Sequence, residues 1–365
     1  MTCLRRAPAT WTLRAPKVRA MLLAMRKNAV VHVIVASALL LAAAQVGCSS
    51  CANKGSGAHA LNRDLALMPD ETVFVAMANY SRMRGTPVWT SVAKNFAWLE
   101  EVAAGKPGKD ADIYKAMGVD ISKQIDSVFG GLSQHPERGE FGILVRGGPF
   151  DGEKLAAYLK AQAWCSGQDI ATDNYKGVPT LAVEVNPLFT FRYALLDKNT
   201  LIFAGEAWLK KIIDRAKGRG PGASSGAHEA LQGVVNRART DGVFWCAGLI
   251  PAELRTKLSA GPGWSPVASM TEIWVAADAR SGVNASGGAA LGNVADSFAL
   301  TSTLNGHIET AKKDPQVLMG GWRPVLDAIR VAQEGTTAKV EVSFTQPQVD
   351  ELLTRLEGLL RAGRK

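Results

Sequence analysis

The sequence has little histidine and little cysteine, with five of each among its 365 residues. No two histidines stand four positions apart, the spacing at which one face of a helix can hold a zinc ion. His228 is followed by Glu229, but the second histidine that a metalloprotease helix requires is missing. We therefore expect no metal site and no cofactor.

Recognisable catalytic motifs are also missing. Gly222–Gly226 has the letters Gly-x-Ser-x-Gly around Ser224, but a loop rich in glycine precedes it where a nucleophile elbow needs a strand. Ser91 and Lys94 have the Ser-x-x-Lys spacing of penicillin-binding enzymes, but no Lys-Thr-Gly occurs anywhere in the chain. The glycine-rich stretches lack the spacing of a phosphate-binding loop. These absences predict a protein that is not an enzyme and has no catalytic residue.

The excess of positive charge is confined to the beginning of the chain. Lysine and arginine number 42 against 33 acidic residues, and residues 1–47 hold seven basic residues and no acidic one. From Cys48 onward, 35 basic residues face 33 acidic ones, which leaves a net charge of +2. The one locally basic stretch, 210–219, falls on a predicted helix and indicates a solvated helix face, with contact to anionic membrane headgroups as the alternative. Nucleic-acid binding needs several basic residues on one surface, so we expect no nucleic-acid partner.

Residues 25–47 have the three parts of an export signal. Two basic residues follow Met25, a mostly apolar run comes next, and Gly47 stands directly before Cys48. A small residue before a cysteine resembles the lipobox of bacterial lipoproteins. Gly47 and Cys48 match the last two positions of that pattern, while Gln45 stands where leucine is usual.

The resemblance implies that residues 1–47 are an export signal and that Cys48 becomes the first residue of the mature chain. Cys48 would then carry a thioether-linked diacylglycerol and an amide-linked acyl chain such as palmitate, and several acyl chains anchor a protein durably in a membrane. Ser49 follows it instead of aspartate, which by the same resemblance implies the outer membrane, facing the periplasm. Residues 48–60 are mostly small and predict a flexible tether.

Two other interpretations of this segment stay open. Residues 29–47 come close to the roughly 20 residues that a helix needs to cross a bilayer, which would make the segment a retained anchor. A signal peptide cleaved without acylation is the other alternative. Residues 1–24 precede a complete signal, so translation that begins at Met21 or Met25 is the simplest account of them.

Strand and helix periods alternate along the rest of the chain. Short β-branched runs bounded by turn residues predict strands at Val73–Asn79, Phe141–Arg146, Thr180–Val185, Phe191–Leu196, Leu201–Ala204, Val243–Ile250, Glu272–Ala277 and Lys339–Phe344. Apolar residues spaced by three and four predict helices at Trp89–Glu101, Asp151–Gln162, Trp208–Ala216, His228–Arg239, Ala295–Lys313, Pro324–Gln333 and Val349–Leu360. In the last strand, apolar and polar residues alternate, so we expect one of its faces to be exposed to solvent.

The order of these elements suggests two related halves. In each half a strand and a helix are followed by two strands, within Ile125–Arg146 or Glu272–Leu291, and then by a long helix, a further strand and a closing helix. Residues 61–217 form the first half, the glycine-rich residues 218–226 a linker, and residues 227–365 the second half. We therefore predict an α+β fold of two related strand–helix halves, with antiparallel sheets covered on one side by helices.

Two cysteines and eight tryptophans remain after the tether. In an oxidising compartment Cys165 and Cys246 could form a disulfide or stay as two buried thiols, and the sequence leaves both alternatives open. The tryptophans are expected to fill the core. If several of them lined one concavity, an apolar or glycan ligand would be the natural expectation.

Together these features predict a membrane-anchored, non-catalytic cell-envelope lipoprotein that acts as a binding or scaffold module. Its expected partners are the membrane, through acylated Cys48, and an envelope protein or an apolar ligand. The alternative is a lipid or apolar-ligand carrier, which needs a closed apolar cavity of at least about 300 Å³. A hydrolase is the third hypothesis, and it needs a cleft in which polar groups with shifted pKa values converge.

Overall fold

The computed structural model describes residues 63–104, 121–157, 160, 170–186, 189–218, 226–261 and 263–362. The export signal, Cys48, the tether and most of the linker lie outside these residues, as do Cys165 and Ser224. The described residues form an α+β fold in which helices pack on a twelve-stranded antiparallel sheet, so the predicted fold class is confirmed at this level. In the part that the structure describes, no helix is long and apolar enough to cross a membrane.

The strands are β1 (Phe74–Asn79), β2 (Ile125–Leu132), β3 (Phe141–Gly147), β4 (Ile170–Tyr175), β5 (Val178–Asn186), β6 (Phe189–Asp197), β7 (Thr200–Gly205), β8 (Phe244–Leu249), β9 (Met270–Asp278), β10 (Val283–Leu291), β11 (Ile329–Glu334) and β12 (Thr337–Phe344). The helices are α1 (63–67), α2 (Tyr80–Arg84), α3 (Pro87–Ala104), α4 (Ile121–Gln124), α5 (152–157), α6 (Glu206–Ala216), α7 (Gly226–Arg237), α8 (Ala252–Ser259), α9 (Val294–Ala311), α10 (Pro315–Met319), α11 (Arg323–Asp327) and α12 (Gln346–Ala362). Short 3-10 turns lie at Pro136–Arg138 and Ser265–Ser269.

The strands form one continuous sheet. Their order is β11-β12-β10-β9-β8-β1-β2-β3-β7-β6-β5-β4. β1 and β8 pair in antiparallel fashion, from Phe74 opposite Gly248 to Ala78 opposite Phe244, and so join strands that lie before and after the linker. The expectation of separate sheets is therefore wrong, because the leading strands of the two predicted halves hydrogen-bond to each other, and the sheet has no clear division into two halves.

Helices cover both faces of the sheet. On the front face, α6 and α7 share one buried cluster with Phe129 and Leu144. On the back face, Leu155 of α5 shares a different cluster with Val145. Leu144 and Val145 are adjacent in β3 and both are buried, although adjacent strand residues point to opposite faces. The prediction of helices on one side only is therefore wrong, and the uninterrupted apolar run in β3 is typical of a strand covered on both faces.

The apolar stripe of α6 packs closely on the front face. Trp208 and Ile212 are no more than 1% exposed, which confirms the stripe as a packing face. The approach is close because β3 has a glycine beneath it. A Cβ atom on Gly142 would lie 2.6 Å from Cδ1 of Ile212 and 3.5 Å from Cε3 of Trp208. α6 thereby covers the front of β3, β6 and β7.

The C-terminal helix α12 packs elsewhere. Its Val349 is buried in one cluster with Trp89 and Val92 of α3, and half-buried Leu353 packs against the same cluster. The predicted helix is confirmed, but its apolar stripe is only partly buried. Because α12 lies against α3, it does not cover the front of β10 and β12.

One predicted helix is wrong. The helix expected at Pro324–Gln333 ends after α11, and β11 follows it at once. In β11 half-buried Ile329, Val331 and Gln333 alternate with exposed residues, and Gly335 with a φ of 57° forms the turn into β12. This is a period of two, which fits a strand and not a helix. β4 was not predicted at all, since its mostly exposed side chains give no apolar signal.

Candidate functional site

An open trough lies on the front face where β9, β10, β11 and β12 meet. Its volume is about 510 Å³, and it is lined by Arg237, Arg239, Trp274, Ser286, Gly287, Ala290, Glu334, Thr336, Thr337, Lys339 and Glu341. We call this surface the β10 trough. The trough is deep because β10 has small residues on this face. Gly288 pairs with Trp274 on one side and with Lys339 on the other, so three neighbouring strands set the floor and both walls.

The wall on the β9 side is built around Trp274. The guanidinium of Arg237, at the end of α7, lies 5.6 Å from the centre of the indole, at a distance that allows a cation–π contact. The same guanidinium forms an ion pair with Glu272. On its other side the indole lies across Gly288, where a Cβ atom would be 2.4 Å from Cζ2. Trp274 is only 9% exposed and thus forms a fixed wall, not a free aromatic surface.

The opposite wall is polar and carries both signs of charge. Lys339 of β12 forms an ion pair with Glu334 of β11. Glu341, two residues further along β12, is exposed and forms no ion pair with any residue that the structure describes. Half-buried Val340 and Val342 point to the back face, so the predicted alternation of β12 is confirmed.

A second concavity, of about 530 Å³, lies where α3 and α12 begin. Gln346 donates through Nε2 to Oγ of Ser91 at 3.0 Å and to Oδ1 of Asp350 at 2.8 Å, and so ties the two helices together. Thr86 accepts a hydrogen bond from the Trp89 amide at 3.1 Å and caps α3. Ser91 therefore takes part in a contact between two helices.

A buried ion pair joins α1 to the sheet. Asp64 is 2% exposed and accepts hydrogen bonds from Nε, at 3.1 Å, and Nη2 of Arg146. Nη1 of Arg146 donates to Oγ1 of Thr200 at 2.5 Å. Burial raises the pKa of the Asp64 carboxyl, and the attraction of Arg146 offsets this only in part. The pair fixes the first described helix to β3 and does not face a cleft.

Cys246, His135 and His307 have structural surroundings. Burial raises the pKa of the Cys246 thiol to about 11, so the thiol stays protonated and unreactive. The ring of His307 stacks on Trp264 with centroids 5.9 Å apart, and Nδ1 of His135 lies 3.5 Å from Glu137. Among the described residues, no three potential metal ligands come together.

The basic stretch on α6 is largely engaged in ion pairs. Lys210 pairs with Glu206 at 2.8 Å, and Arg215 pairs with Asp70 at 2.7 Å. Lys211 pairs with Glu71. These carboxylates neutralise most of the positive charge along the helix, as expected for a solvated helix face and not for a phosphate-binding surface.

The tryptophans are mostly core residues. Trp89, Trp208, Trp245 and Trp274 are buried, which confirms the expectation for these four. Trp164 lies outside the described residues, as does the side chain of Trp98. Among the described tryptophans, Trp274 alone lines the β10 trough.

The sequence analysis did not identify the trough. Its residues come from three chain segments that become neighbours only through strand pairing. The available signal was the run of small residues in β10, from Ala285 to Ala290, because glycine inside a strand often marks a close approach of another group.

Comparison with known proteins gives little further information. No family model matches the chain, and no curated protein matches it. The solved structure "Structure of crystal form I of TP0453" is similar over 81% of this chain and 96% of that chain, with 12% sequence identity and a TM-score of 0.42. An identity and a score this low do not assign a function.

Proposed function

We propose that the chain is a membrane-anchored, non-catalytic cell-envelope lipoprotein that acts as a binding or scaffold module, held to the outer membrane by acylated Cys48. The observation that carries the proposal for the folded body is the β10 trough, an open polar concavity on the front face of the sheet. For the anchor, the support is the export-signal pattern that ends in Gly47 and Cys48.

We infer further that the body consists of two related halves fused through one sheet. Read outward from the β1–β8 pair, the strand order is β1-β2-β3-β7-β6-β5-β4 on one side and β8-β9-β10-β12-β11 on the other. The first five strands of each series correspond, and β5 and β4 extend the first series at its outer edge. Each series begins after a helix, α1 or α7, and ends with a helix, α6 or α12. The same order of strands and helices on both sides favours a duplication.

The inferred duplication explains why the trough is open. α6 closes the first half by covering the front of β3 and β7, whereas α12 closes the second half by packing against α3. The corresponding strands β10 and β12 therefore keep an open front face. A sheet face that a helix covers in one half and leaves open in the other is available for a ligand or partner.

The trough favours a binding module over the alternatives. A carrier would need a closed apolar cavity, but both concavities described above are open and partly lined by charged side chains. A hydrolase would need polar groups that converge on a substrate in a cleft, whereas Lys339 of the trough is already paired with Glu334. The near-neutral mature chain and the paired lysines of α6 also support the absence of a nucleic-acid partner.

The anchor is tested by cysteine substitution. We expect Cys48→Ala to abolish the incorporation of labelled palmitate and to release the protein from the membrane fraction. Cys51→Ala, three residues away in the same tether, is the matched control and should keep both label and membrane association. If Cys48→Ala still takes up label and sediments with membranes, the lipoprotein proposal is wrong.

A further inference from the structure

We propose that the β10 trough binds an extended peptide segment of a partner protein, a segment that carries one acidic and one basic side chain. This inference rests on the proposed binding function and names the class of ligand. Four observations on the trough support it: its polar floor, its dimensions, its fixed aromatic wall and the sign of the charges on each side.

The floor of the trough is polar where the first half is apolar. In the first half, Leu144 of β3 pairs with Ile202 of β7 beneath α6, and both are fully buried. In the corresponding strands, Gly288 pairs with Lys339, and the next front-facing pair is Ser286 with Glu341. A lysine and a glutamate on this face would be costly to bury under an apolar ligand. The surface is thus suited to a polar occupant.

The dimensions suit an extended chain. The walls rise from β9 and β12, which lie on either side of β10, so they are about 10 Å apart at the usual strand spacing. From Ser286 to Ala290, β10 runs along four residue steps of a strand, about 14 Å, and the indole of Trp274 lies across its middle at Gly288, so a bound chain would pass over the indole. An extended peptide of four to five residues has about this length. The pairing of Trp274 against Gly288 keeps one wall in place, so little ordering is needed on binding.

The charges define the recognition. On the α7 side, Arg237 is paired with Glu272, whereas Arg239 is 70% exposed and its Nε lies 3.9 Å from the exposed carboxylate of Asp241. On the β12 side, Glu341 is exposed and forms no ion pair among the described residues. An acidic side chain of the peptide would lie toward Arg239 and a basic one toward Glu341. Because Lys339 and Arg330 stand beside Glu341 on the same face, a ligand with basic side chains only would meet repulsion there.

The test uses a phage-displayed library of random peptides, each about 12 residues long, selected on the immobilised full-length protein in detergent micelles. We expect enriched peptides to combine an acidic and a basic residue within about four positions, and to lose binding at high salt. Ser286→Phe fills the floor and should reduce the affinity for these peptides at least about tenfold. Thr354→Phe, at an exposed position of α12, is the matched control and should leave the affinity unchanged.

A charge-reversal variant, Glu341→Lys, tests the proposal even if Ser286→Phe does not fold. We expect Glu341→Lys to weaken the mixed-charge peptides about tenfold and to favour peptides with acidic residues only, whereas Glu153→Lys on α5 should change neither. If no peptide is enriched, the trough proposal is overturned while the palmitate experiment still decides the anchor. If enriched peptides bind Ser286→Phe and Glu341→Lys as tightly as the wild type, the proposal is also overturned, although a binding module remains.

Discussion

The ion pair between Asp64 and Arg146 allows a sharp prediction on stability. Burial raises the pKa of Asp64 although Arg146 donates two hydrogen bonds to it, which means that the cost of desolvating the carboxylate exceeds the attraction. A buried pair of this kind is expensive to break on one side only, but its replacement by two apolar residues is often neutral or stabilising.

A single substitution of Asp64 and a double substitution of the pair should therefore change the free energy of unfolding by different amounts or in opposite directions. Asp64→Ala leaves the buried donors of Arg146, whose side chain is 14% exposed, without their acceptor and should lower the free energy of unfolding by about 3 kcal/mol. The double variant Asp64→Leu with Arg146→Met should lie within about 1 kcal/mol of the wild type or above it. Thr200 then loses one donor but keeps its hydrogen bond to Asp197 at 3.0 Å.

Equilibrium unfolding in urea measures both values. The pH dependence gives a second check. Because the folded-state pKa of Asp64 lies above its ordinary 3.8, the wild type should lose stability relative to the double variant as the pH rises from 3.8 through the raised pKa. If the double variant is as unstable as Asp64→Ala, the reasoning that desolvation dominates this pair is refuted.

Three further predictions concern packing and reactivity. Gly142→Ala places a methyl group against Ile212 and should lower the free energy of unfolding by about 1–3 kcal/mol. Gly233→Ala, at an exposed position of α7 where an added Cβ atom would meet no neighbouring group within 4 Å, should raise it by about 0.5–1 kcal/mol. Urea midpoints that shift in the same direction for both variants would contradict this. Leu353→Ala should lower the free energy of unfolding by about 1–2 kcal/mol, less than the 2–5 kcal/mol expected for a fully buried leucine, because Leu353 is half-buried. A loss above about 3 kcal/mol in urea unfolding would show that its contact is fully buried. With a pKa of about 11, Cys246 should react with iodoacetamide at pH 8 roughly a hundredfold more slowly in the folded protein than in urea, as followed by peptide mapping. Equal rates would contradict the protected thiol.

The sequence predicted correctly those helices and strands that have one apolar and one polar face. The stripe of α6 packs as its spacing indicates, and β12 exposes Glu341 while Val340 and Val342 face the back helices. In these elements one face is apolar and the other polar, so the hydrophobic period shows both the type of element and its orientation. Such an argument needs no knowledge of the neighbours.

Contacts between distant segments could not be predicted in this way. The trough depends on Gly288 lying between Trp274 and Lys339, a register set by the pairing of β10 with both neighbours. The joining of β1 to β8 likewise depends on two strand edges that are far apart in the chain. β11 was missed because its alternation is weak, with only Ile329 and Val331 as apolar residues on the inner face. Strand pairing is a tertiary choice that one sequence does not specify by itself.

The most direct test of the account is the mass of the mature amino terminus. Digestion of the membrane-extracted protein with trypsin should yield the peptide Cys48–Lys54 with a diacylglyceryl group on its sulfur and an acyl chain on its amino group. This result would show cleavage after Gly47 and lipidation of Cys48 together. A peptide that begins at Asn28 and runs through Lys54, or Cys48–Lys54 without a lipid, would contradict the anchored lipoprotein.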